Sequence, residues 1–132
     1  QFGVTGIDCH RKERPISVGR DRTARAWKLA DDSHLIFRGG AKLASADCIT
    51  LLKDDFYLTG HEDGTMGLWF TEKKKAVKLI DHAHGYDDPT LNIGRSIVSI
   101  DCMKGGDMAM TGSSDGFLRL WKVSTGATIA SR

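Results

Sequence analysis

The sequence predicts an all-β protein in which one four-stranded antiparallel unit is used three times. Three observations carry that expectation. First, a hydroxyl residue, an aspartate and a tryptophan recur at fixed offsets as Ser17–Asp21–Trp27, Thr59–Asp63–Trp69 and Thr111–Asp115–Trp121. Second, two of the three intervening tips read Asp63-Gly64 and Asp115-Gly116. Asp-Gly between apolar runs is a hairpin signal, because glycine tolerates the positive φ that the turn demands. Arg22 stands where the other tips have glycine, so the first turn is expected to be strained or differently shaped. Third, short apolar runs bounded by turn residues follow one another throughout, and helical periodicity is absent.

The elements follow in order. The first cycle has strands over 4–9, 16–18, 25–29 and 34–37, with a charged turn at 10–14 and a polar one at 31–33. The second runs over 46–52, 56–60, 66–70 and 76–80, with basic Lys73, Lys74 and Lys75 in its last turn. A connection over 81–95 holds His82, His84, Asp87, Asp88 and Pro89, and nothing periodic appears in it. The third cycle runs over 97–103, 108–112, 118–123 and 127–130. Successive tryptophans lie 42 and 52 residues apart, and the connection absorbs the difference.

Four short strands repeated every 40–45 residues or so are the signature of propeller blades. A lone blade cannot bury both faces, so blades stack around an axis. Leu118 and Leu120 point to one face and Arg119 and Trp121 to the other, as suits a sheet held between two others. The units are blades over 1–42, 43–80 and 97–132 with an inter-blade loop over 81–96, all in one domain. About four to eight blades close a ring. The chain is therefore expected to be part of a larger propeller, of about seven blades, with a dimer of half-propellers as the alternative. The missing initial Met agrees with an excerpt or a processed product.

Composition adds boundaries. With 19 Lys+Arg against 17 Asp+Glu among 132 residues, the formal charge is +2, which neither requires nor excludes a nucleic-acid partner. Only two prolines argue against extensive disorder. No apolar run approaches the roughly 20 residues that cross a bilayer, and residues 1–9 do not read as a signal peptide; the expectation is a soluble protein. Cys9, Cys48 and Cys102 form no Cys-x-x-Cys pair. They are expected to be small buried strand residues in a reducing compartment, not zinc ligands.

The repeats resemble WD40 repeats over all three cycles. In that family a histidine ahead of the first strand joins the hydroxyl, aspartate and tryptophan in a buried tetrad. The resemblance thus implies a structural role for Ser17, Asp21, Trp27, Thr59, Asp63, Trp69, Thr111, Asp115 and Trp121. A buried indole N–H needs an acceptor, and a closed network fixes the hairpin. His84, in Ala83-His84-Gly85, is the expected histidine of the third repeat. Before the second repeat the expected Gly-His is Gly39-Gly40, so that tetrad is expected to lack its histidine; the first would precede Gln1.

The runs over 19–28, 45–49, 59–64 and 83–85 are similar to one branch of the family, the WD-repeat protein of the U3 small nucleolar ribonucleoprotein. This implies a non-catalytic scaffold of the nucleus and nucleolus. It would bind U3 small nucleolar RNA and its associated proteins, in pre-ribosomal RNA processing and small-subunit biogenesis. No cofactor, metal, membrane or small-molecule substrate is expected. The alternative is a WD40 protein–protein adaptor, a ligase substrate receptor or signalling scaffold, without an RNA partner.

Residues that differ between copies are the candidates for partner or RNA contact. One rim would carry Arg20, Arg22, Arg38, Lys42, His61 and Arg95; the opposite rim would carry Lys73, Lys74 and Lys75. Arginine pairs with phosphate and stacks on bases, whereas the lysine run suits phosphate alone. His82 and His84 lack a third metal ligand at recognisable spacing. Ser113-Ser114-Asp115 lacks a nucleophile-elbow context. The variable hairpin tips, including Glu62, Ser113 and Ser114, are where recognition is expected.

Overall fold

The computed structural model describes residues 3–9, 14–38, 43–53, 55–123 and 129–131, the last three as backbone only. The first sheet has strands β1 (Val4–Cys9), β2 (Pro15–Gly19), β3 (Thr23–Lys28) and β4 (Ser33–Arg38). The second has β5 (Ala46–Leu51), β6 (Phe56–His61), β7 (Met66–Phe70) and β8 (Lys78–Ile80). A small hairpin follows, β9 (Tyr86–Asp88) and β10 (Ile93–Gly94). The third sheet has β11 (Ile97–Cys102), β12 (Met108–Ser113), β13 (Leu118–Val123) and β14 (Ile129–Ser131). Within each sheet the strands lie in sequence order and pair antiparallel, as in a meander.

The first strand of every sheet carries the same irregularity. Register slips between Val4 and Gly6, between Ala46 and Cys48, and between Ile97 and Ser99. A bulge of this kind bends the strand and sharpens its twist. Its recurrence lets β1, β5 and β11 pack side by side as the inner edges of the three sheets. Hydrogen bonds tie those edges together. The Thr5 hydroxyl donates to the Ala46 carbonyl, and the Leu51 N–H donates to Asp8 Oδ2 at 2.7 Å. The Cys102 thiol donates to the Leu51 carbonyl at 2.8 Å.

Two apolar cores fill the spaces between sheets. Ile16, Val18, Phe37, Ile49, Tyr57 and Trp69 pack between the first and second. Leu58, Met66, Leu68, Ile97, Ala109 and Trp121 pack between the second and third. The Trp69 and Trp121 faces therefore lie against the opposite faces of the preceding sheets. Met110, Leu118 and Leu120 of the third sheet occupy the positions of Leu58, Met66 and Leu68 in the second. They are 39%, 67% and 46% exposed, where their counterparts are 1% or less. The third sheet thus presents an inter-blade face that no described sheet covers.

Several expectations need correction. The connection over 81–96 contains the β9–β10 hairpin, although its sequence shows no period. Residues 29–31 form a single 3-10 turn before β4. Cys9 is exposed, and only Cys48 and Cys102 are partly buried; all three are free thiols. Cys9 follows Asp8 at the end of β1, where no further chain packs over it among the described residues. Burial pushes the Cys48 thiol up to about 12.

The second and third sheets approach closely at Gly60. A Cβ there would lie 2.5 Å from Ile97 Cγ2 and 2.7 Å from Cys48 Sγ. Gly60→Ala is expected to cost about 1–3 kcal/mol by overpacking, read as a lower midpoint in urea unfolding.

Candidate functional site

The polar groups inside the sheets belong to three related networks, each built on one constraint. On adjacent strands of each sheet, an indole N–H faces a hydroxyl oxygen. Trp27 donates to Ser17 Oγ at 2.9 Å, Trp69 to Thr59 Oγ1 at 2.8 Å and Trp121 to Thr111 Oγ1 at 2.7 Å. Thr59 and Thr111 are 1% and 0% exposed, so each hydroxyl must also place its own proton.

In the third sheet His84 receives that proton, with Nε2 at 2.7 Å from Thr111 Oγ1. Its Nδ1 faces Asp115 Oδ2 at 3.2 Å. The N–H of Phe117 donates to the other Asp115 oxygen at 2.9 Å. Arg119 Nη1 lies 3.4 Å from the Asp115 carboxylate and Arg95 Nη1 lies 3.9 Å from it. Burial opposes the charge on Asp115, but the Phe117 N–H, His84 and Arg119 outweigh it, and its carboxyl stays below the usual range. Burial, joined by Arg119 and Arg95, lowers the His84 imidazole against the pull of Asp115.

The second sheet solves the same problem differently. His61, expected at an exposed tip, is 2% exposed and turned into the sheet. Its Nε2 lies 2.8 Å from Thr59 Oγ1 and its Nδ1 lies 2.9 Å from the Ala44 carbonyl. The carbonyl can only accept, so Nδ1 carries the proton and Nε2 accepts from Thr59. A histidine from β6 itself thus occupies the place for which the sequence offered only Gly39-Gly40, a pair outside the described residues. The signal was available: Thr59 and His61 are two apart on one strand, so both face the interior. Asp63 does not reach this histidine by hydrogen bond. It accepts from the Thr65 N–H at 2.9 Å and closes the turn. Burial again lowers the imidazole, against the pull of the Ala44 carbonyl and Asp63.

Room for this arrangement depends on Gly67. A Cβ there would meet Trp69 Nε1 at 2.6 Å and Thr59 Oγ1 at 2.9 Å. The corresponding positions of the other sheets hold Arg25 and Arg119, which reach Asp21 and Asp115. In the first sheet Asp21 accepts from the Thr23 N–H and hydroxyl, at 3.2 and 2.8 Å.

The tip of the second hairpin is covered. The Ala83 N–H donates to the Gly64 carbonyl at 2.9 Å, and a Cβ on Gly94 would lie 2.2 Å from the Asp63 carbonyl. The β9–β10 hairpin is therefore seated on the β6–β7 turn, and the same segment carries His84 into the next sheet. Arg95 is drawn inward to Asp87, at 3.1 Å, and to Asp115. Arg20, Arg22 and Arg38 are exposed at the other hairpin tip, and Lys73, Lys74 and Lys75 are exposed in the β7–β8 turn at the opposite end of the sheet. Lys42 lies outside the described residues. Ser113 is turned inward, donating to the Ser96 carbonyl at 2.7 Å, whereas Ser114 and Glu62 are exposed.

Nothing in these networks assembles a reaction centre. His82 stacks on Tyr86 with ring centroids 4.2 Å apart, and His84 is committed to Thr111 and Asp115. Among the described residues no group of three His, Cys, Asp or Glu is placed to hold a metal ion. An open cleft of about 760 Å³ between the first and second sheets is lined by Ile16, Trp27, Leu35, Leu52 and Phe56, together with the charged Arg14, Lys28, Asp55 and Glu72.

No protein-family model matches the chain. It is 33% identical over 93% of its length to an uncharacterized WD repeat-containing protein of Schizosaccharomyces pombe. It is 32% identical over 96% of its length to the U3 snoRNP-associated protein-like YAO of Arabidopsis thaliana. The match to ribosomal RNA-processing protein 9 of Saccharomyces cerevisiae is 26% over 92%. Among solved structures, the RRP9 WD40 repeats superpose with a TM-score of 0.90 at 32% identity, covering 98% of this chain and 39% of that one. The structure of U3-55K gives the same TM-score and identity.

The chain belongs to the WD40-repeat family. It spans 28% of the length of each of the first two curated relatives. In WD40 terms, the Thr111–His84–Asp115–Trp121 network has all four tetrad members, and the Thr59–Asp63–Trp69 network uses His61 in place of a loop histidine.

Both buried histidines have lowered pKa values, which fixes the sign of the pH dependence. The unfolded chain takes up protons near the ordinary value of about 6.5, while the folded chain resists them. Stability is full above that value and falls as pH drops below it, toward the folded-state values. Asp47, raised chiefly by burial and then by Glu62, acts with the opposite sign in the acid range. Urea midpoints are expected to fall between about pH 7 and 5, and His61→Ala should reduce that slope without abolishing it, because His84 remains. At neutral pH His61→Ala should cost about 1–3 kcal/mol, from the unpaired Ala44 carbonyl and Thr59 hydroxyl. An unchanged midpoint would show that His61 is not a member of the network.

Proposed function

We propose that the chain forms part of a non-catalytic WD40 scaffold in the U3 small nucleolar ribonucleoprotein. It would act in pre-ribosomal RNA processing and small-subunit biogenesis, in the nucleolus. The observation that carries this reading is the extent of the similarity. Relatives named for the U3 particle match 96–97% of the chain, across all three sheets and the unusual 81–96 segment. A generic WD40 adaptor would share the hydroxyl, aspartate and tryptophan positions without that connection.

We also propose that the three sheets are blades of a larger propeller, of about seven. The blades would be 1–42, 43–80 and 97–132, joined by the 81–96 connection. The uncovered inter-blade face of the third sheet, with Met110, Leu118 and Leu120, supports this. The contact residues of such a scaffold would be sought on its rims. Arg20, Arg22 and Arg38 lie on one and Lys73, Lys74 and Lys75 on the other.

The test is crosslinking of the full-length protein in cells, followed by RNA sequencing. Enrichment of U3 small nucleolar RNA over other nucleolar RNAs is the expected result. Recovery without any small nucleolar RNA would remove the ribonucleoprotein reading and leave the adaptor reading in its place.

A further inference from the structure

We infer that Arg20, Arg22 and Arg38 form a phosphate-contacting edge on the first sheet, shaped to lie along an RNA backbone. The inference rests on the ribonucleoprotein reading above and adds to it a location and a mode of contact.

Arg22 carries the argument furthest. It holds φ +60 at the position where the second and third hairpins have Gly64 at φ +81 and Gly116 at φ +79. Left-handed backbone strains a residue with a Cβ by about 1 kcal/mol or more. The two sister turns hold glycine there, whereas this turn retains the strain and presents a guanidinium at its tip.

The neighbouring residues complete an edge. Arg20 lies two positions earlier in the same turn and is exposed. The pairing of β3 with β4 sets Arg38 opposite Thr23, immediately beside Arg22. Asp21, between the two turn arginines, accepts from the Thr23 N–H and hydroxyl and lies 3.8 Å from Arg25 Nη2. Arg25, Arg95 and Arg119 are ion-paired. Arg20, Arg22 and Arg38 have no carboxylate within ion-pair distance among the described residues. Asp47, on the neighbouring sheet, interacts with Arg20 through space.

The chemistry favours phosphate over a protein partner. The tip reads Gly19-Arg20-Asp21-Arg22-Thr23, with no aromatic or aliphatic anchor of the kind that dominates protein hot spots. Nor do the described residues of the tip include an aromatic platform for stacking bases. What remains is a row of bidentate donors suited to phosphate oxygens, which positions an RNA without reading its sequence.

Binding of the full-length protein to fluorescein-labelled U3 RNA, measured between about 50 and 200 mM salt, tests this. Each lost phosphate contact should reduce the slope of log affinity against log salt by about 0.7, or about fivefold in affinity at 0.1 M. Arg22→Gly is the discriminating variant. It is expected to bind RNA more weakly while unfolding at the same or higher urea concentration, because glycine fits the turn. The triple variant Arg20→Gln, Arg22→Gly, Arg38→Gln should reduce the slope by about 2. An unchanged slope in a folded triple variant would overturn the inference. So would loss of polyglutamate binding with RNA binding intact, which would assign the edge to an acidic protein. Recovery of U3 RNA by the wild-type protein from cells is scored separately. If the wild type recovers U3 and the triple variant recovers it equally, the ribonucleoprotein reading stands and the arginine edge falls.

Discussion

One buried donor organises this molecule: the indole N–H on the third strand of each sheet. Tryptophan is placed there because its ring fills the gap to the preceding sheet, as Trp69 and Trp121 do in the two cores. Filling the gap takes the N–H out of water, where an unmet donor would cost several times the bond's net contribution. A hydroxyl on the second strand meets the need, at 2.7–2.9 Å in all three sheets. That solution hands the problem on, because a buried hydroxyl has a proton of its own to place. The histidine exists to receive it, and the aspartate in turn fixes either the histidine or the turn.

The two histidine solutions differ in what they link. His84 arrives from the connection between sheets, so the third hairpin is secured by a segment that also lies on the second hairpin's tip. The Ala83 N–H donates to the Gly64 carbonyl, and His84 beside it in the chain meets Thr111 and Asp115, so one segment ties the two hairpins together. His61 is supplied from within β6 and fastens only the short entry into β5, through the Ala44 carbonyl. Their charged surroundings differ too: His84 has a carboxylate at Nδ1 but Arg119 and Arg95 opposing a proton, whereas His61 has a neutral carbonyl at Nδ1 and Asp63 and Asp47 favouring one through space.

The repeating parts were legible because they obey local rules. The offsets of four and six residues in each triplet follow from a hairpin whose hydroxyl and indole must meet across two strands. Strands 4–9, 66–70 and 118–123 coincide with the observed elements for the same reason. The parts that escaped depend on tertiary contact. Tyr86–Asp88 and Ile93–Gly94 are too short for a period to show, and what holds them is their seat on the β6–β7 turn. His61 escaped for a different reason. Its place in the sequence, just before Glu62-Asp63-Gly64, reads as the tip, whereas strand alternation puts it on the face of Thr59. Alternation was the better guide, and it needed no structure.

Economy in the buried network also explains where recognition has room to develop. A position whose side chain satisfies a buried group cannot be exchanged without leaving that group unpaired, which rules out the hydroxyls, the indoles, His61 and His84. Arg95 and Arg119 are nearly as constrained, since they share the charge of Asp115. The second hairpin's tip is covered by its neighbouring segment. What is left is the outermost turn of a sheet whose aspartate is already satisfied locally, as Asp21 is by Thr23. At such a turn a residue can be exchanged at the cost of local strain alone, without disturbing the core. Arg22 in left-handed backbone is that kind of change, and its strain stays within the turn that presents it.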